Sequence, residues 1–135
     1  MSPAAKKPPA DLAAHFAGRD PAMLELYREL LALVARSGPF TVVPDKSRIV
    51  FRARAPFMAI APRQMHLIGH FVFPRRVANP RFQRIDTISP GRLAHHFCLE
   101  RSDELDPEFA GWIRDAYAVG AAEPLAELAP PATLR

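Results

Sequence analysis

The sequence predicts an α+β fold in which two main helices, one N-terminal and one C-terminal, pack on one face of a single-layer, mostly antiparallel sheet of about five strands. Apolar residues recur at helical spacing near both ends of the chain, and between them they alternate with a period of two. The alternating runs are joined by short segments, whereas a parallel crossover needs about a dozen residues or more. These connections favour an antiparallel sheet with helices covering one face.

The first long helix is predicted to follow Asp20, a good N-cap, with Pro21 at the first helical position. Gly38-Pro39 is expected to end it. Its apolar stripe has helical spacing: Leu24, Tyr27, Leu31 and Val34. Before it, Asp11 is expected to cap a short helical stretch over residues 12–17.

The middle of the chain has the alternation of apolar and polar residues that is typical of strands. It is clearest over residues 48–54, where Ile49, Phe51 and Ala53 are expected on one face and Arg48, Arg52 and Arg54 on the other. The predicted strands are 40–43, 47–54, 57–61, 66–73 and 93–100, with 83–88 as a short additional candidate. Ala55-Pro56 predicts a turn, and Pro62 is expected to break the third strand.

The second long helix is predicted from Asp106 as cap and Pro107 as first residue, with Gly120 as its end. It carries an aromatic stripe: Phe109, Trp112, Ile113, Ala116 and Tyr117. The expected organisation is a disordered lead (1–10), one α+β domain (11–120) and a Pro/Ala-rich tail (121–135).

Composition favours a globular cytoplasmic protein. The 135 residues are 49% hydrophobic and contain one cysteine, which fits a reducing compartment. We expect no membrane partner, because no apolar run approaches the roughly 18 to 20 residues that span a bilayer. The N-terminal residues lack the apolar region of a secretory signal.

Charge is concentrated in the middle of the chain. Residues 44–101 hold eleven basic and three acidic side chains, a net charge of +8, whereas residues 102–135 carry −5. The two regions could attract an outside anion or pair with each other, and the sequence leaves both interpretations open.

The sharpest basic feature is one strand parity that carries Lys46, Arg48, Arg52 and Arg54, facing away from Ile49 and Phe51. The outward parities of neighbouring strands add three histidines: His66, His70 and His96. Together these residues predict a cationic sheet face suited to a phosphate, a carboxylate or a nucleic-acid backbone. The alternative is an edge strand kept soluble by charge. A second basic group follows the fourth strand: Arg75, Arg76, Arg81 and Arg84.

The sequence shows no motif that is typical of a catalytic site or of a metal site. His95 and His96 are adjacent in a strand and point to opposite faces, so they cannot share a metal, and His95 is expected in the core. His96 and Cys98 share a face but lack further ligands. No nucleophile elbow or paired carboxylate is visible. We therefore expect no catalytic residue, no metal and no cofactor.

Motifs spread along residues 11–120 resemble a small bacterial domain-of-unknown-function family. They are residues 15–19, 26–27, 38–39, 46–52, 73–76, 80–81, 90–92, 95–96, 105–106, 112 and 116–117. The family occurs as short stand-alone proteins and at the end of some predicted transport-type or endonuclease-type proteins. The resemblance implies no enzyme chemistry. It implies that a ligand site would use Lys46, Arg52, Arg75, Arg81 and His96. The family often has Trp after the residue matching Phe57, where this chain has Met58.

The leading hypothesis is a non-catalytic binding module that recognises an acidic protein or a small anion on its basic sheet face. A nucleic-acid backbone is a less favoured ligand, because the phenylalanines fall on core parity and leave no stacking platform. One alternative is an enzyme acting on a phosphorylated or nucleotide-like substrate, with His95 or His96 as general acid–base. Another is a homodimer that buries Ile68 and Val72.

Overall fold

The structure, a computed structural model, describes residues 10–128. It contains three α-helices and six strands. The helices are α1 (Ala10–Phe16), α2 (Pro21–Ala35) and α3 (Pro107–Leu128). The strands are β1 (Thr41–Pro44), β2 (Ile49–Arg52), β3 (Pro56–Pro62), β4 (Leu67–Phe73), β5 (Arg84–Ser89) and β6 (Arg92–Leu99). No helix in this described range is long and apolar enough to cross a membrane.

The six strands form one antiparallel sheet in the order β1-β2-β3-β4-β6-β5. The predicted α+β class is confirmed, with six strands instead of about five. β3 begins at Pro56, within the predicted turn, and Pro62 is the last residue of β3. The β5–β6 hairpin turns at Gly91, whose φ of 75° is a conformation that favours glycine.

The helix starts follow the predicted capping. The carboxylate of Asp20 accepts a hydrogen bond from the N–H of Ala22, and Pro21 opens α2. Asp106 accepts from the N–H of Phe109 at the start of α3. Asp11 was predicted to be the N-cap of the first short helix. This prediction was wrong, because α1 begins at Ala10 and Asp11 lies within it.

α3 passes through Gly120 and continues to Leu128, so the predicted helix end was wrong. Gly120 instead allows a close approach: a Cβ there would lie 2.8 Å from the Ala55 carbonyl oxygen and 2.9 Å from Phe57 Cβ. The Gly120 carbonyl accepts a hydrogen bond from the N–H of Ala55. It is free to do so because Pro124, four residues on, has no N–H to donate.

Helices cover one face of the sheet, and the core lies between the two layers. Large side chains of the odd-numbered positions in β2, β4 and β6 are buried there: Ile49, Phe51, Leu67, Phe71, Phe73, Phe97 and Leu99. The ring of Phe109 in α3 lies 5.1 Å from those of Phe71 and Phe97. The predicted parities of β2, β4 and β6 are therefore confirmed.

The predicted lead and tail extend beyond the described range. Ala10 is the one residue of the predicted lead that the structure describes. Residues 121–128 of the predicted tail belong to α3, and 129–135 lie outside the described residues.

Candidate functional site

A row of six residues, one from each strand, crosses the sheet face that the helices leave open. Antiparallel pairing places each member opposite the next, so their side chains share this face. The row runs from β1 to β5 through Val43, Val50, Ala59, His70, His96 and Arg84. We call it the central row. It is apolar at the β1 side and basic at the β5 side.

Two grooves lie along this open face, each with a volume of about 560 Å³. Both are lined by Arg48, Ala59, His70 and His96, where they meet. The polar groove extends toward the Ala61 end of β3, and its further polar lining is Ser47, Arg63, Gln83 and Arg84. The apolar groove extends the other way, lined by Val43, Val50, Met58, Val72, Ile88, Ala94, Pro56, Arg52, Arg92 and Asp86.

Basic residues outnumber acidic ones in the lining of the two grooves. The charged residues are five arginines (Arg48, Arg52, Arg63, Arg84, Arg92) and one carboxylate (Asp86), and two histidines (His70, His96) lie among them. Volumes of roughly 300 to 1,000 Å³ are typical of small-ligand sites. Each groove has a volume within this range, and its lining residues carry more basic than acidic side chains.

Asp86, His96 and Arg84 form a hydrogen-bonded group at the β5–β6 side. Oδ2 of Asp86 accepts from Nε of Arg84 at 2.9 Å and from Nε2 of His96 at 3.0 Å. Partial desolvation opposes ionisation of Asp86, but these two donors outweigh it and hold its pKa below the ordinary value. Asp86 is thus a fixed negative charge that orients the imidazole of His96.

His70 lies at the junction of the two grooves, in the middle of the sheet. Its ring centroid is 5.4 Å from that of His96. Burial, followed by the charges of His96 and Arg48, lowers the pKa of His70 to about 4. The free protein therefore holds His70 neutral at pH 7, beside two groups that can carry positive charge.

Three of the residues predicted as ligands lie together on the open face: Arg48, Arg52 and His96. Arg52 donates to the Arg54 carbonyl at 3.3 Å, and Phe51 beside it is fully buried under the helices. Three others line neither groove: Lys46 lies in the β1–β2 turn, Arg54 in the turn after β2, and Arg75 in the loop after β4.

Arg81 lies on the helix side of the molecule, away from both grooves. Its guanidinium donates to both Asp106 oxygens at 3.0 and 3.1 Å, and to the Glu104 carbonyl at 2.7 Å. It also contacts Glu108 at 3.3 Å and lies over the Phe109 and Trp112 rings. The N–H of Phe109 and then Arg81 lower the pKa of Asp106. Arg81 thus connects the 74–83 loop to the start of α3.

His95 is fully buried in the helix-side core, as predicted. Its Nε2 accepts from the N–H of Val77 at 2.9 Å, so its Nδ1–H donates to the Leu93 carbonyl at 3.0 Å. Burial lowers its pKa although the Leu93 carbonyl opposes the shift. Because both ring nitrogens are engaged in the core, the acid–base alternative rests on His96.

His70, which its parity assigns to the outward face, lines both grooves, whereas His66 lines neither. Three groove arginines were not predicted to lie on this face: Arg63, Arg84 and Arg92. Arg92 shares the outward parity of β6, which is a signal that could have found it. Arg84 becomes a neighbour of His96 because β5 pairs with β6, a contact between strands that parity does not predict. Arg63 lies in the β3–β4 turn and carries no sequence signal of its own.

The described part of the open face has no group of side chains placed to bind a metal ion. Among residues 10–128, no cluster of three or more His, Cys, Asp or Glu side chains is placed to hold an ion. Cys98 shares the parity of His96, and burial together with Glu100 and Glu104 raises its thiol pKa.

A family model matches residues 12–120, which is most of the chain. The model describes a domain of unknown function, DUF5655. The chain belongs to this family. The DUF5655 region coincides with the three helices and six strands up to Gly120, and it contains both grooves. Neither the curated proteins nor the solved structures include a match to the chain.

Proposed function

We propose that this DUF5655 chain is a non-catalytic cytoplasmic module that binds an anionic ligand on its open sheet face. The observation that carries the proposal is the charged lining of the two grooves, with five arginines against one carboxylate. Guanidinium groups bind carboxylate and phosphate oxygens in bidentate geometry, and a concave basic surface attracts such ligands.

Arg48 is the arginine best placed to change partners on binding. Its guanidinium lies 3.9 Å from the Asp45 carboxylate, Nε to Oδ2, beyond hydrogen-bonding distance, and its side chain is 53% exposed. Such a loose exposed pair contributes little to stability. Arg48 lines both grooves, so it can donate to a ligand in either without losing a strong internal bond.

The experiment is calorimetric titration of the chain with inorganic phosphate and with poly-glutamate, each at low and high salt. We expect binding that weakens as salt rises. The double variant Arg48→Gln/Arg52→Gln should weaken binding about tenfold or more. The matched control, Arg36→Gln/Arg114→Gln, removes the same charge from exposed positions at the end of α2 and on α3. Equal losses of binding affinity in the two double variants would show that the net charge of the chain, and not the grooves, attracts the anion.

The homodimer alternative has less support. Val72, which it places in the interface, is already 2% exposed within one chain. Its burial leaves little area on that residue for a second copy to cover.

A second candidate function is an enzyme that acts on a phosphorylated or nucleotide-like substrate. One observation favours it: Asp86 holds the His96 imidazole by a 3.0 Å hydrogen bond inside a basic groove, an arrangement suited to a general acid–base. The test is hydrolysis of p-nitrophenyl phosphate by the wild-type chain and by His96→Gln. Hydrolysis by the wild-type chain that is lost in His96→Gln would support catalysis. Equal rates for the two chains, no higher than the uncatalysed rate, would contradict the enzyme and favour the binding module.

A further inference from the structure

The polar groove has the chemistry of an oxyanion site. Each of its polar side chains carries a hydrogen-bond donor, and no carboxylate lines it. Arg48, Arg63 and Arg84 supply guanidinium groups, and Ser47 and Gln83 supply neutral donors. An oxyanion, which accepts several hydrogen bonds at once, matches this lining better than a cation or a neutral sugar.

The apolar groove has a different character, although it shares its inner end with the polar groove. Its floor is made of small and branched apolar side chains, among them Val50, Val72 and Ala94. Ile88 on β5 and Val43 on β1 lie at its two edges and are 54% and 44% exposed. Because exposed branched side chains beside an apolar floor can bury more surface on contact, this groove favours an apolar group.

The two grooves meet at His70 and His96, so one molecule can occupy both. Resting on the proposed function, we propose that the ligand is a small amphipathic oxyanion. Its phosphate or carboxylate head would bind in the polar groove, and its apolar body would lie across the central row in the apolar groove. An acidic peptide matches less well, because its repeated carboxylates would lie beside Asp86 and Ile88 in the apolar groove.

Calorimetry with three matched probes tests this division of the site: inorganic phosphate (head), 1-naphthol (body) and 1-naphthyl phosphate (both). We expect 1-naphthyl phosphate to bind at least about tenfold more tightly than phosphate, because its ring buries apolar surface. 1-Naphthoate replaces the phosphate with a carboxylate, and its relative affinity identifies the preferred head.

Variants separate the two ends of the ligand. Ile88→Thr, or Val43→Thr as a second variant, should weaken the binding of 1-naphthyl phosphate several-fold and leave the affinity for phosphate unchanged. Met65→Thr is the matched control, because Met65 is 65% exposed and lines neither groove. Arg48→Gln should weaken the binding of both probes that carry a phosphate.

The outcomes distinguish the two proposals. If 1-naphthyl phosphate binds no more tightly than phosphate, or if Ile88→Thr and Met65→Thr behave alike, the amphipathic ligand is overturned and anion binding stands. If neither phosphate, 1-naphthyl phosphate nor 1-naphthoate binds the wild-type chain while poly-glutamate does, the ligand is an acidic polymer. If no anion binds, the proposed function itself fails.

Discussion

Two arginines, Arg81 and Arg48, have opposite surroundings on the two sides of this molecule. On the helix side, Arg81 is held by two carboxylates, one carbonyl and two aromatic rings. On the open face, Arg48 has one distant carboxylate and is half exposed. Acidic residues at the start of α3 therefore neutralise Arg81, whereas Arg48 lies on the other side of the sheet with a loose partner in Asp45. The same residue type thus fixes a loop to a helix on one face and makes only a weak ion pair on the other.

The largest effect should come from removing the helix-side arginine. Arg81→Gln should lower the free energy of unfolding by about 2 to 3 kcal/mol, because it leaves partly buried Asp106 without its charged partner. Arg81→Lys should recover part of this loss, since it keeps the charge but not the fork of donors. Urea denaturation measures both. An Arg81→Gln chain as stable as wild type would show that the Arg81–Asp106 contact does not stabilise the fold.

Acidification should destabilise the chain through its two low-pKa histidines, one on each face. His70 titrates near pH 4 in the folded chain and near 6.5 when unfolded, so the unfolded state takes up the proton first as pH falls. Stability should therefore be full above about pH 6.5 and decline toward pH 4, with His70 contributing on the order of 2 kcal/mol. The lowered pKa of His95 acts in the same direction.

His70→Gln should flatten this pH dependence, because glutamine does not titrate. Urea denaturation of both chains from pH 7.5 to 4 measures the difference. Superimposable pH profiles for wild type and variant would show that His70 is not held neutral by its position in the sheet.

Gly120→Ala tests the close packing of the helix side. The added Cβ would meet the Ala55 carbonyl and Phe57, so we expect a loss of about 1 to 2 kcal/mol in unfolding free energy. Gly111→Ala on the same helix is the control, because its Cβ meets nothing closer than 3.5 Å. The control should be neutral or stabilise α3 by up to about 1 kcal/mol. Equal effects at both glycines would contradict the packing.

The smallest effect should come from the open face. Arg48→Gln/Arg52→Gln should change the unfolding free energy by less than about 1 kcal/mol, because exposed arginine contacts contribute little. Thermal denaturation together with the urea midpoint measures it. A loss as large as that of Arg81→Gln would mean that these arginines are structural and would remove the contrast between the two faces.

The sequence predicted what depends on neighbours along the chain. The caps at Asp20 and Asp106 and the alternation in β4 and β6 follow from local spacing, and all are present. Contacts between distant segments were not predictable in this way. Arg81 meets Asp106 across 25 positions, and Gly120 meets Ala55 across a layer boundary. Both grooves likewise depend on strand order, which a period of two does not determine.

The strand order carries a consequence for biosynthesis. β6 lies between β4 and β5, although β5 precedes it in the chain, so β5 has no partner until residues 92–96 of β6 have been synthesised. A nascent chain that stops before His96 cannot bring that imidazole beside Arg84 and Asp86. The group of Arg84, Asp86 and His96 therefore assembles only once the β5–β6 hairpin has closed.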